Sequence, residues 1–218
     1  MKTGAPRFRR SILLAAACML AVVLTACTGR GGGYLPPGLT GSDMFAQTVF
    51  TGQAPFGFTF SCEDKGGINP PTGQLKIELA YSDLGTSVLL GAPFSIHGIV
   101  DTIDPVLESA ICQGQNPPPP PENQLIFLGR YYRTTSAPPG FLATCPTRET
   151  KTTPLCRFEV IVQDNDQNLA PSPGDFFSIK LSSATCTDPS NLSCSQLPVG
   201  SVFYARAGYL AGGNIIVK

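Results

Sequence analysis

The stretch Cys156-Arg-Phe-Glu-Val-Ile-Val-Gln-Asp164-Asn-Asp-Gln-Asn168-Leu-Ala-Pro-Ser-Pro-Gly174-Asp-Phe-Phe-Ser-Ile-Lys-Leu181 decides how the rest of the chain is read. Phe158, Val160 and Val162 alternate with Arg157, Glu159 and Gln163. After a polar Asn/Asp/Pro/Gly tip, Phe177, Ile179 and Leu181 alternate with Ser178 and Lys180. A period of two places each apolar set on one face, so the stretch predicts an antiparallel hairpin. A lone hairpin is not stable in water, and its apolar face needs a second apolar surface that the remaining chain must supply.

That supply is visible on both sides. Phe56-Gly-Phe-Thr-Phe-Ser-Cys62 alternates aromatic with small residues, and Leu75, Ile77, Leu79 and Tyr81 alternate with Lys76 and Glu78. Further strand material is expected at 46–50, 87–90, 93–103, 106–112, 202–210 and 214–217. Gln124–Tyr132 begins apolar on both faces, which suits a central strand. Gly and Pro, 23 and 21 residues, interrupt nearly every helical candidate. The expected fold is all-β: an antiparallel sandwich, immunoglobulin-like or jelly-roll-like, with long Pro/Gly-rich loops. Pro117–Pro121 forms a polyproline II loop that cannot enter a sheet interior.

The N-terminus has a different chemistry. Lys2, Arg7, Arg9 and Arg10 precede the uncharged run 12–25, too short for a membrane span and right for a secretory signal. Arg9-Arg10 also allows twin-arginine export. The run ends Leu24-Thr25-Ala26-Cys27, which resembles the lipobox of bacterial lipoproteins. The resemblance implies cleavage before Cys27 and a diacylglyceryl thioether on its sulfur, with attachment to the cell membrane or outer membrane. Two acyl chains suffice for stable anchoring. The expected organisation is a signal peptide over 1–26, a lipidated flexible tether over 27–45 rich in Gly and Pro, and one β domain over 46–218.

Six cysteines remain outside the signal and the lipidated residue: Cys62, Cys112, Cys145, Cys156, Cys186 and Cys194. An even number in an exported chain reads as disulfides, with fifteen connectivities open in principle. Short spacing favours Cys145 with Cys156 and Cys186 with Cys194, which leaves Cys62 with Cys112. There is no Cys-x-x-Cys pair and one histidine, His97, so thiolate zinc sites and disulfide exchange have no motif.

Four of the fifteen Lys and Arg lie in 1–26 and none of the fifteen acids do, so the exported part carries about −4. Nucleic acid is not an expected partner, because no basic cluster exists to neutralise phosphates. A Gly-x-Ser-x-Gly elbow is absent, and any catalytic triad would hang on His97, so no catalytic residues and no enzymatic activity are expected. Asp164, Asp166, Asn168 and Asp175 fall at positions one, three, five and twelve of a calcium-loop spacing. Leu169 stands where such a loop wants glycine, and the flanks are strands. No cofactor is otherwise expected, and the competing reading makes Asp164, Asn165 and Asp175 turn-closing residues.

Phe158-Glu-Val-Ile-Val-Gln-Asp164-Asn165, Pro173-Gly174-Asp175-Phe-Phe-Ser-Ile and the terminal Gly208-Tyr-Leu-Ala-Gly-Gly213-Asn214-Ile, with Phe56-Gly-Phe and Gly73-Gln-Leu upstream, resemble the post-COAP type domain of secreted bacterial proteins. The resemblance implies an all-β accessory module over about 46–217 without catalytic residues. The functional expectation is a non-catalytic envelope lipoprotein that offers its loops to a protein or glycan partner. The alternative is a closed β-barrel carrying a small apolar ligand, with Phe56 to Phe60 lining the cavity.

Overall fold

The structure, a computed structural model, describes residues 28–39, 48–63, 74–85, 93–99, 124–135, 145–147, 155–165, 174–185 and 201–217, with backbone only at 28, 39, 61–63, 74–77 and 184–185. The signal-peptide residues, Cys27 and the expected strands at 87–90 and 106–112 lie outside the described residues.

All regular structure among the described residues is β. Eleven strands run in order: β1 Thr28–Leu35, β2 Gly38–Leu39, β3 Val49–Phe50, β4 Ala54–Glu63, β5 Gln74–Asp83, β6 Phe94–Ile99, β7 Gln124–Arg133, β8 Cys156–Gln163, β9 Phe176–Thr185, β10 Val202–Tyr209 and β11 Gly212–Val217. Nine of them form one antiparallel sheet in the order β10-β9-β8-β7-β6-β5-β4-β1-β11, and β2 pairs with β3 separately. The hairpin that opened the sequence reading is β8–β9, with Val160 opposite Ile179 and Val162 opposite Phe177. The expected antiparallel all-β fold is therefore present. The two apolar layers arise from one sheet that curls into a half-barrel, so that β4 and β5 face β9 and β10.

The inward face is aromatic. Phe56 of β4 stacks on Phe177 of β9 with centroids 3.8 Å apart, Phe58 lies 5.5 Å from Phe127, and Tyr81 lies 6.1 Å from Phe177. Each such pair adds roughly 0.5–1.5 kcal/mol beyond the area it buries. Where aromatics are large, glycine makes room. Phe158 lies over Gly98 of β6 and Gly129 of β7, and a Cβ at Gly129 would come 2.5 Å from its ring and 2.8 Å from the Ile99 carbonyl. Gly129→Val is expected to lower stability by about 2–3 kcal/mol through overpacking, read as a drop in the urea midpoint with unchanged slope.

One expectation is corrected. The Gly-rich stretch assigned to a flexible tether is instead β1, paired on one side with β4 and on the other with β11. Gly29, Gly31 and Gly33 stand directly opposite Phe60, Phe58 and Phe56, so the phenylalanines of β4 fill the space that β1 leaves. A Cβ at Gly31 would sit 2.9 Å from both Phe58 and Ile215. The strand lacks an apolar period because its neighbours provide the apolar matter. The expected central strand is β7, which lies between β6 and β8, with its burial alternating and Ile126 38% exposed on the outer face.

Candidate functional site

Asp164 and Asp175 are in phase with the inward residues of β8 and β9, and the structure buries both to 4% exposure. They meet the edge strand β11. Asp175 Oδ1 accepts the Asn165 N–H at 2.9 Å and its Oδ2 accepts the Ile215 N–H at 2.6 Å, while Asp164 Oδ2 accepts the Val217 N–H at 3.1 Å. Asn165 Nδ2 donates to the Gly174 carbonyl at 2.7 Å, and Leu210 N–H donates to the Asp175 carbonyl at 2.9 Å. The gap between the two ends of the sheet is thus bridged here by carboxylate-to-amide bonds, which saturate donors that an edge strand would otherwise present. Gly213, with φ +111°, lets β11 approach β1, where a Cβ would fall 2.2 Å from the Gly32 carbonyl.

Residues from three places in the chain converge on this latch: Asp164-Asn165 at the end of β8, Gly174-Asp175 before β9, and Leu210 and Ile215 on either side of the start of β11. Of the four oxygen donors proposed for calcium, Asp164 and Asp175 are engaged with backbone amides, whereas Asp166 and Asn168 lie outside the described residues. Among the described residues no three His, Cys, Asp or Glu gather in a metal-holding group.

A second buried polar cluster, which the sequence reading missed, sits toward the other end of the half-barrel. Arg206 of β10 is 2% exposed and donates through Nη2 to the carbonyls of Pro36 at 2.8 Å and Gly52 at 2.7 Å. Its Nη1 lies 3.1 Å from Asp83 Oδ2, close enough for an ion pair but without hydrogen-bond alignment. Tyr204 O–H donates to Asp83 Oδ2 at 2.7 Å and meets the Tyr81 hydroxyl, and Gly85 N–H donates to Asp83 Oδ1 at 2.9 Å. The guanidinium also lies 4.5 Å from the centre of the Phe50 ring. The available signal was phase: Arg206 shares a strand face with Tyr204, and a cation two residues from an inward tyrosine needs a buried partner.

Burial holds the hydroxyls of Tyr81, Tyr204 and Tyr131 well above the usual tyrosine range, with the Asp83 charge adding to the effect at Tyr81. A raised folded-state pKa means that the stabilisation is complete below about pH 10 and is lost as pH rises past that value, by about 1.4 kcal/mol per unit for each tyrosine. The urea midpoint is expected to be flat to about pH 9 and to fall steeply above pH 10. Tyrosinate absorbance from these three should appear only together with unfolding. Reversible ionisation of all six tyrosines in a native sheet would contradict it.

Cys145 and Cys156 are bonded as the spacing favoured, with Cα atoms 5.6 Å apart and both residues buried. Tyr131 O–H reaches Cys145 Sγ at 3.3 Å and donates to the Ser182 carbonyl at 3.0 Å, while Arg133 Nε donates to the Cys145 carbonyl at 2.8 Å. The side chain of Cys62, and all of Cys112, Cys186 and Cys194, lie outside what is described. His97 is half-buried on the outer face of β6, its ring 5.3 Å from Tyr132.

No family model, curated protein or solved structure matches the chain.

Proposed function

We propose that this protein is a non-catalytic, lipid-anchored module of the cell envelope, exported and held to a membrane through Cys27, with its loops available to a protein or glycan partner. The observation that carries the reading is positional. Every described strand lies C-terminal to the cysteine of Leu24-Thr25-Ala26-Cys27, so cleavage before Cys27 would leave the described sheet whole. The buried Cys145–Cys156 disulfide suits an oxidising compartment.

The carboxylates support a structural reading of the polar residues. Asp83 is tied to Arg206 and Tyr204, and Asp164 and Asp175 are tied to β11, which leaves their oxygens directed at protein groups. The proposal gives calcium no role for that reason. The carrier alternative has less support, because the rings of Phe56, Phe58 and Phe60 pack against Phe177 and Phe127.

The test is membrane fractionation and intact mass on the full chain expressed in a bacterial envelope. Wild-type protein is expected in the membrane fraction with a mass showing cleavage before Cys27 and added diacylglycerol, and Cys27→Ser is expected to lose both. An intact leader, or equal partitioning of the two proteins, would overturn the proposal.

A further inference from the structure

If Cys27 carries the lipid, the fold leaves no slack between lipid and domain. A flexible tether over 27–45 would let the domain stand several nanometres off the bilayer, since an extended chain reaches about 3.3–3.6 Å per residue. Instead the residue that follows Cys27 is paired with Ser61, the next with both Phe60 and Val217. One peptide unit, about 3.8 Å between Cα atoms, separates the lipidated residue from the sheet.

The register then says which end of the half-barrel lies beside that residue. Thr28 pairs next to the end of β4, and Glu63 there pairs with Gln74 at the start of β5. Gln124 at the start of β7 pairs with Gln163 at the end of β8, which pairs with Phe176 at the start of β9. The two groups of strand ends meet across the interior. A Cβ on Gly29 would touch Leu125 at 2.7 Å, and Val217, the partner of Gly29, is bonded to Asp164. The end at which Asp164 meets Val217 is therefore the end at which the chain leaves Cys27, and the Asp175 bonds lie further along β1, beside Gly31 and Gly33. The Asp83–Arg206 cluster, Leu84 and the strand ends Leu35, Ala54 and Phe94 lie at the other.

We infer that the domain is held close to its membrane in one orientation, with the end that carries Thr28, Asp164 and Val217 turned toward the lipid headgroups and the Asp83–Arg206 end facing away. This rests on lipidation of Cys27, as proposed above.

The test uses full-length, lipid-modified protein in phosphatidylethanolamine/phosphatidylglycerol vesicles, with a fluorescent non-canonical residue at exposed Arg30 or exposed Leu84 and an energy-transfer acceptor on the lipid headgroups. Arg30, Thr59 and Glu78 occupy one cross-strand row, and Leu84 lies six residues beyond Glu78, about 20 Å further along the strand. Transfer is expected to be clearly greater from position 30 than from position 84. Inserting about twelve Gly/Ser residues between Cys27 and Thr28 should lower transfer from position 30 and shrink the difference. Equal or reversed transfer in protein whose mass shows the lipid would overturn the orientation alone. Absence of the lipid from that mass would overturn the lipoprotein reading and the orientation with it.

Discussion

Asp83→Ala is expected to lower the stability of this domain by about 3–5 kcal/mol, the range for removing one partner of a buried ion pair. The reason is what remains behind. Arg206 stays 2% exposed with its charge unpaired, Tyr204 O–H loses the carboxylate it donates to, and Gly85 N–H loses its acceptor. Against a total of about 5–15 kcal/mol for a domain, such a loss brings the fold close to its margin at physiological temperature. The double replacement Asp83→Leu with Arg206→Met is expected to be more stable than Asp83→Ala, because both charges leave together. Recovery should be partial, since the Pro36 and Gly52 carbonyls then lose the Arg206 donor. Guanidinium unfolding of the three proteins checks this, and an Asp83→Ala midpoint matching wild type would sink the account of the cluster as a buried lock.

Asp175→Ala is expected to release β11. The carboxylate accepts two backbone amides, Asn165 N–H and Ile215 N–H, and hydrogen bonds to a charged acceptor contribute about 1.5–3 kcal/mol each. The expected loss is about 3 kcal/mol, and it should be local before it is global. Hydrogen exchange in Gly212–Val217 and in the facing residues of β1 should accelerate strongly, while β5–β7 keep their protection at low denaturant. Gly213→Ala should produce the same pattern from the opposite cause, a Cβ driven into the Gly32 carbonyl. Uniform acceleration across the sheet in Asp175→Ala would mean that β11 is no latch but an equal member of one cooperative unit.

Much of this fold was legible in period-two patterns. Phe158, Val160 and Val162 fall inward, as do Phe177, Ile179 and Leu181, and the β8–β9 hairpin they predict is there with that phase. The same rule places Asp164 and Asp175 inward, each an even step from those residues, and a carboxylate in phase with an apolar face needs buried donors. The Asn165 N–H that Asp175 accepts fits the turn-closing reading, but the β11 donors were not legible, because they are backbone amides of a strand about forty to fifty residues away, and every residue but proline has one. The calcium-like spacing and the latch thus read identically in sequence.

The positions and inward faces of the alternating strands such as β4, β5, β8 and β9, and the Cys145–Cys156 pairing, follow from local alternation and short spacing, since both depend on residues close together in the chain. The role of the glycines in β1, the meeting of Asp83 with Arg206 and the bridging of the sheet ends by Asp164 and Asp175 depend on which strands the curl brings face to face. A glycine opposite phenylalanine in a neighbouring strand is packed, and a glycine followed by water is slack. Only the tertiary pairing of β1 with β4 and β11 distinguishes the two.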